Sequence, residues 1–224
     1  MGDFQWARIL GYLPDLIRGV GVTLQLGLTS ASLGLVLGLV LALMKFSKVP
    51  VLYWPAYVYI EFFRTTPPLV QIVWLYYGLP LFTGHDLGAF GAAAVALGLN
   101  IAAFYAEIYR AGIVGVHRTQ WQAARVLGLN LKDTLRYVVL PQAVRNVLPP
   151  MGTTTIYLIK DTALASAIGT LELLRIGQLV AVETFRPVET LTIVALLYFV
   201  VTYPVALLIG RLEARYKVAR AGAA

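Results

Sequence analysis

Residues 19–44 carry no charged side chain for 26 consecutive positions. A helix needs about 20 apolar residues to cross a bilayer core of about 30 Å, so this run is long enough to span a membrane. Further runs follow it. Residues 65–84 are also charge-free, and the apolar run before them, 49–63, is broken only by Glu61, so a long helix over about 51–84 is expected. Residues 87–106 give a third span, reaching to about 108. Residues 146–159 continue through Lys160 and Asp161 into 162–171, a fourth span of about 138–168 with a charged pair inside it. Residues 190–210 give a fifth, about 189–211. Breaks fall at Pro50, at Thr83-Gly84-His85-Asp86, across 107–145 and near Arg186-Pro187.

Composition agrees with this class. Hydrophobic residues make up 59% of the chain and charged residues 13%, against roughly 25% charged in an average soluble domain. Too little charge is present to cover a soluble surface, so most of the chain faces lipid or other apolar helices. The expected fold class is an all-α membrane protein with five transmembrane helices, forming a single domain over residues 1–224. The chain has no cysteine, which excludes disulfides and thiolate metal sites. His85 and His117 have no companions at metal-ligand spacing and read as solvated loop residues. The first 18 residues hold Asp3, Arg8, Asp15 and Arg18 with no apolar core, so no cleavable signal peptide is expected.

The net charge of +7 is unevenly spread. With five spans, the N-terminus and the second and fourth loops lie on one side, with Arg8, Arg18, Arg175 and Arg186. The other side holds Lys45, Lys48, Arg110, Arg118, Arg125, Lys132, Arg136, Arg145, Arg211, Arg215, Lys217 and Arg220. Twelve basic residues against four put the N-terminus outside and the C-terminus inside by the positive-inside rule. The basic excess is thus accounted for by cytoplasmic loops, and nucleic acid is not an expected partner.

The loop 107–145 is therefore cytoplasmic and is the longest polar region. Trp121, Ala123, Ala124, Val126 and Leu127 lie among spaced polar residues, a pattern that predicts a short amphipathic helix at about 117–129. Gly128 permits a sharp turn after it. Pro141 is expected to break or kink the helix that follows, separating this segment from the fourth span.

The loop reads Gln122-Ala123-Ala124, three residues, Gly128, nine residues, Val138-Val139-Leu140-Pro141. This resembles the cytoplasmic coupling motif of bacterial ABC importer permeases: Glu-Ala-Ala, three residues, Gly, nine residues, Ile-x-Leu-Pro. Gln122 replaces the usual Glu and Val138 the usual Ile. An amide still donates and accepts hydrogen bonds, so the helix should persist with weaker anchoring. Phe63-Arg64-Thr65-Thr66-Pro67, Ala106-Glu107-Ile108-Tyr109-Arg110-Ala111-Gly112, Leu148-Pro149-Pro150 and Lys160-Asp161-Thr162-Ala163-Leu164 resemble segments of the polar amino acid subfamily, with Thr65 and Ala163 departing from its usual Gly and Ser. The likeness covers about residues 15–215.

The resemblance implies a type I ABC importer permease core in the bacterial inner membrane. It also implies a second permease copy or a sister permease, two ABC ATPase subunits inside and a soluble binding protein outside. The chain has no Gly-x-x-x-x-Gly-Lys-Ser/Thr phosphate loop, so it is not expected to be an enzyme. It binds no cofactor in this reading, and ATP with magnesium belongs to the partner ATPase. The coupling residues would be Gln122, Ala123, Ala124, Gly128, Leu140 and Pro141.

Charges inside a span are costly and usually face a cavity or a partner. Lys160 and Asp161 are the most informative of these. On a helix Asp161 shares a face with Thr154, and Lys160 with Thr153. Asp161 suits the ammonium of an amino acid and Lys160 its carboxylate, with Thr154 adding a hydroxyl. The alternative is a structural ion pair to Glu61, Arg64 or Glu107. Arg64 and Glu107, expected at span ends on the cytoplasmic side, suit structural pairing or gating. Thr65 and Thr66 precede a double proline where backbone bonds are interrupted, so they are candidates for the transport path. Tyr53, Trp54, Tyr57, Tyr76 and Tyr77 fit interface belts. Gly34-x-x-x-Gly38 is a common helix-contact pattern.

The leading function is an importer subunit for a polar amino acid, with a tilt away from arginine or lysine and towards glutamine or glutamate. The alternatives are the same machine carrying an opine or amino acid derivative, and a stand-alone channel or secondary transporter. No inverted repeat supports the last, and no residue cluster supports a membrane enzyme.

Overall fold

The computed structural model describes residues 6–47 and 49–221, with side chains as far as Arg211. Asp3 of the N-terminal segment, and Lys48 and the side chains of Arg215, Lys217 and Arg220 from the charge count, lie outside the described residues. All regular structure among the described residues is helical.

A short α1 (Trp6–Leu10) buries Ile9 and leads into α2 (Leu13–Phe46). The buried positions of α2 include Gly19, Thr23, Leu26, Gly27, Ser30, Gly34, Gly38 and Leu41, a narrow and mostly small-residue stripe at helical spacing. The opposite face exposes Leu28, Val36 and Leu43. Small residues let two backbones approach, and here the partner is α5 (Gly88–Val114). A Cβ on Gly38 would lie 2.9 Å from both the Ala102 carbonyl oxygen and the Tyr105 Cβ. The fit is reciprocal: a Cβ on Gly98 of α5 would lie 2.6 Å from Leu33 Cδ2. The pattern Gly34-x-x-x-Gly38 is therefore the α2–α5 contact.

The second apolar region is not one continuous helix. It forms α3 (Pro50–Thr65) and α4 (Pro68–Thr83), separated by Thr66 and Pro67 in extended conformation. A proline pair removes two amide donors and leaves carbonyls without partners. In an apolar surrounding those carbonyls must be satisfied from elsewhere. Asn100 of α5 donates from Nδ2 to the Phe63 carbonyl at 2.8 Å, and Gln71 donates from Nε2 to the Thr66 carbonyl at 3.1 Å. The two buried amides also bond each other, Asn100 Nδ2 to Gln71 Oε1, at 3.1 Å. Tyr53, Trp54 and Tyr57 cluster near the start of α3 with ring centroids 5.6–6.0 Å apart.

After α5 come α6 (Arg118–Val126), a single turn α7 (Leu131–Asp133), a π-helical stretch at Thr134–Val139, and α8 (Leu140–Asp161). The helix does not break at Pro141. The wider π turn places the Leu140 amide against the Leu135 carbonyl, one residue further back than in an α-helix, just where proline enters the next turn. A 3₁₀ segment (Thr162–Ile168) continues α8 to Gly169, and α9 (Leu173–Thr184) leaves at a bend of 50°. α10 (Pro187–Ala221) closes the fold.

The bend before α9 has its own anchor. Glu172 is fully buried, and its carboxylate accepts from the Leu174 amide (2.9 Å), the Arg175 amide (2.7 Å) and the Tyr198 hydroxyl (2.8 Å). The Leu173 amide donates to Thr23 Oγ1 at 3.1 Å, so α9 is tied to both α2 and α10.

Among the described residues, three helices are each long and apolar enough to cross a membrane: α2, α5 and the Pro187–Arg211 part of α10. The composite Leu131–Ile168 with Leu173–Thr184 makes a fourth if counted as one bent span.

Candidate functional site

α3, α5 and α8 line an open cavity of about 470 Å³. Its wall includes Arg64, Phe104, Glu107, Ile108, Gly112, Asn146, Pro150 and Thr154. The close approach of α5 and α8 on one side follows from Gly112, where a Cβ would stand 3.1 Å from the Ala143 carbonyl oxygen. Asn146 Nδ2 donates to the Gly112 carbonyl at 3.2 Å across the same contact. Further along, the Tyr105 and Thr155 hydroxyls bond at 2.8 Å.

Arg64 occupies the last turn of α3, at the break in the second apolar region rather than at an end of it. Its guanidinium lies over the Phe104 ring, 5.7 Å from the centroid, a distance at which cation and π-system attract. Glu107 holds two cations. Lys45, from the last turn of α2, bonds its Oε1, and Arg110 Nε bonds its Oε2 at 2.9 Å. Lys45 also sits 5.4 Å from the Tyr57 ring centroid. The Thr154 hydroxyl donates to the Pro150 carbonyl at 2.8 Å, one turn back on its own helix.

Arg64, Glu107 and Thr154 are thus brought together, and Lys160 and Asp161 are not among the wall residues. Asp161 lies two turns beyond Thr154 on the same face, about 10 Å along the axis. It is partly buried. Lys160 is exposed, with its ammonium 5.7 Å from the Tyr157 ring centroid. Neither forms an ion pair among the described residues, and the partners of Glu107 are Lys45 and Arg110. The Thr65 and Thr66 hydroxyls both turn back to their own helix, to the Glu61 and Phe62 carbonyls at 2.7 Å. Thr66 Oγ1 also accepts from Gln71 Nε2 at 2.6 Å.

The loop helix α6 is built from local signals. His117 caps its start, with Nδ1 accepting from the Thr119 amide. Its end is a Schellman turn: the Leu129 amide donates to the Ala124 carbonyl and the Gly128 amide to Arg125, both at 3.0 Å. That turn requires the left-handed conformation, which Gly128 adopts at φ 72°. Asn130 then caps α7, accepting from the Asp133 amide at 2.9 Å. Ala124 is buried in the loop's own core beside the π-helical stretch, whereas Gln122, Ala123 and Gly128 are exposed. Gln142 Nε2 donates to Gln120 Oε1 at 3.3 Å, joining α6 to α8 near Pro141. Val126 is 87% exposed and Leu127 77%, followed by exposed Leu131 and Tyr137. An ordered loop with this much apolar surface has the character of a docking face.

Sequence reasoning missed the partner of Glu107, the Asn100–Gln71 pair and the Glu172 anchor. Each is a polar side chain inside or beside an apolar run, which is the signal that marked Lys160 and Asp161.

Residues 34–218 match the family model described as "Binding-protein-dependent transport system inner membrane component". The glutamine transport system permease protein GlnP of Escherichia coli (strain K12) is 37% identical over 217 residues, covering 96% of this chain and 99% of that protein. The probable amino-acid ABC transporter permease protein YckA of Bacillus subtilis (strain 168) is 37% identical over 222 residues, covering 96% and 98%. Among solved structures, an amino acid ABC transporter crystallised with histidines superposes with a TM-score of 0.91 at 38% identity, covering 96% of this chain and 100% of that one. The MetNI methionine ABC transporter in inward-facing form gives a TM-score of 0.76 at 23% identity, with coverage of 92% and 98%, and supports the fold alone. With the all-helical fold and its apolar spans, these findings identify the chain as a member of the binding-protein-dependent transport system inner membrane components: a multi-pass amino-acid ABC transporter permease.

Proposed function

We propose that this chain is the transmembrane subunit of an importer that moves a polar amino acid into the cytoplasm. ATP hydrolysis on a separate ATPase drives it, and an extracytoplasmic binding protein feeds it. Five spans serve this reading if α3 and α4 together make the second and α8 with α9 the fourth. The N-terminus is then outside and the α6 loop inside, in keeping with the basic residues gathered on that side. Two ATPases engage two permeases, a second copy or a sister chain, and ATP and magnesium stay on the ATPases. The solute is received near Lys160 and Asp161 and passes along α8, by Thr154, to the cavity bearing Arg64. Thr65 and Thr66 flank that passage at the break between α3 and α4, and Glu107 acts in pairing or gating.

The observation that carries the reading is the α6 loop, which presents exposed Val126 and Leu127 beside the exposed Gln122 and Ala123. Such a surface supports docking of an ATPase. Pro141 and Leu140, continuous with α8, provide a rigid connection from that loop to the cavity wall. The same machine carrying an opine or an amino acid derivative shares all of these features. The loop also argues against a stand-alone channel, which has no partner to couple.

Co-purification of the ATPase with a chain lacking residues 118–130 tests the reading. Loss of the ATPase from an otherwise intact membrane protein is expected. Undiminished association would refute coupling through this loop.

A further inference from the structure

Two prolines interrupt the backbone bonding of α8. Pro149 and Pro150 lie inside the helix and carry no amide hydrogen, so two successive backbone bonds are missing. That level is a joint. On its α6 side, Asn146 and Val147 hold the helix to Gly112 of α5. On its other side, residues 151–161 carry Thr154, Lys160 and Asp161 and need fixings of their own. Gly152 supplies one towards α10, where an added Cβ would stand 2.6 Å from Ile209 Cγ1. Tyr105 supplies another from α5. Its hydroxyl lies 2.8 Å from Thr155 Oγ1, and Thr155 gives its own proton to the Met151 carbonyl at 2.8 Å, so Tyr105 is the donor. Tyr105 is 1% exposed, and its ring rests on the glycine stripe of α2. Cβ atoms on Gly34 and Gly38 would stand 3.4 Å from its Cδ2 and 2.9 Å from its Cβ. The phenol is therefore fixed by α2 and α5, and it grips α8 just beyond the joint.

We infer that Tyr105 is a positioning residue for the solute: by bonding Thr155 it sets the direction of α8 beyond its proline pair, and with it the places of Thr154 and Asp161. The role rests on the reading that the solute passes along α8. Tyr105 is not among the residues of the cavity wall, so it acts through Thr155. Distance from the joint amplifies any error in direction. Asp161 lies eleven residues beyond Pro150, about 16 Å along the axis. A tilt of about 10° at the joint would displace it by about 3 Å, more than the tolerance of a hydrogen bond. Removing the Tyr105 hydroxyl leaves the ring on α2 and leaves the Thr155 hydroxyl its bond to Met151. Direction is lost, while packing and helix are kept.

Binding of glutamine, glutamate and arginine to the detergent-solubilised permease–ATPase complex, without binding protein, tests this, followed with whichever of the three binds the unsubstituted complex most tightly. Tyr105→Phe and Thr155→Val should each weaken that binding about fivefold, the effect of one hydrogen bond. The double variant should be no weaker than either single one, because the two changes remove the same bond. Thr155→Ser keeps the hydroxyl and should retain the affinity. A merely structural role would lower the number of folded binding sites and leave the affinity of those that remain unchanged. Unchanged affinity in Tyr105→Phe, additive losses in the double variant, or a loss in Thr155→Ser equal to that in Thr155→Val would each overturn the inference. Thr154→Val and Asp161→Asn separate it from the reading beneath it. If both leave binding unchanged, or if none of the three amino acids binds, the solute does not meet α8 and that reading fails. If they weaken binding and Tyr105→Phe does not, only the role of Tyr105 is refuted.

Discussion

The Asn100 side chain reaches across from α5 to donate a 2.8 Å hydrogen bond to the carbonyl of Phe63, the residue before Arg64. Gln71 bonds the same carbonyl from α4 at 3.3 Å. The break in the second apolar region is therefore closed by side chains, and Arg64 leaves a backbone held from two helices. Asn100→Leu keeps the number of side-chain heavy atoms and removes the donor. It should destabilise the solubilised protein by about 1–2 kcal/mol, the scale of a buried hydrogen bond lost within a membrane bundle. Equilibrium unfolding in mixed micelles would show it. An unchanged transition would mean that the break is not held by Asn100.

Glycines on α2 should differ sharply by position. Gly38 faces the Ala102 carbonyl, while Gly21 has nothing within 4 Å of an added Cβ. Gly38→Val should cost about 1–3 kcal/mol through overpacking. Gly21→Ala should be neutral or should stabilise by up to about 1 kcal/mol, since alanine is the better helix former. Thermal unfolding of the two variants side by side checks the ordering.

Gly128 ends α6 in the left-handed conformation with open space around it. A Cβ there meets no neighbour, so the effect of substitution is backbone strain, about 1–2 kcal/mol. Gly128→Ala should loosen the loop and weaken ATPase association, and Gly128→Asn should do so less, because asparagine tolerates that conformation. The association constants of the two variants with the ATPase give the comparison.

Asp161 has no ion-pair partner among the described residues. If it meets the solute, Asp161→Asn should impair uptake while leaving membrane insertion and ATPase association intact. Normal transport by this variant would remove Asp161 from the path.

Much of the bundle was legible in sequence because long charge-free runs have few alternatives to a span, as residues 19–44 of α2 demonstrate. The loop helix was legible too, since Trp121, Ala123, Ala124, Val126 and Leu127 stand among spaced polar residues before Gly128, the turn residue. The division of the second region was not. Pro67 and Pro68 were in view, but a break is stable only when its carbonyls find donors, and one donor, Asn100, lies 37 residues from Phe63. At Pro141 a break or kink was expected, and the helix runs on through it because the preceding turn widens to admit the ring. α9 was read as part of a loop because 12 residues carrying Arg175 and Glu183 do not make an apolar run. Its anchors, Thr23 and Tyr198, are distant in sequence. Lys45 and Glu107 are 62 residues apart, and nothing local to either marks the other.

Uptake by proteoliposomes shows whether ATP drives transport through the α6 loop. The chain, reconstituted with its ATPase and binding protein, should accumulate glutamine or another polar amino acid only when ATP is supplied. Leu127→Asp, which places a charge on the docking face, should abolish that accumulation in vesicles containing the same amount of permease. ATP-dependent accumulation that survives Leu127→Asp and the removal of residues 118–130 would contradict the account.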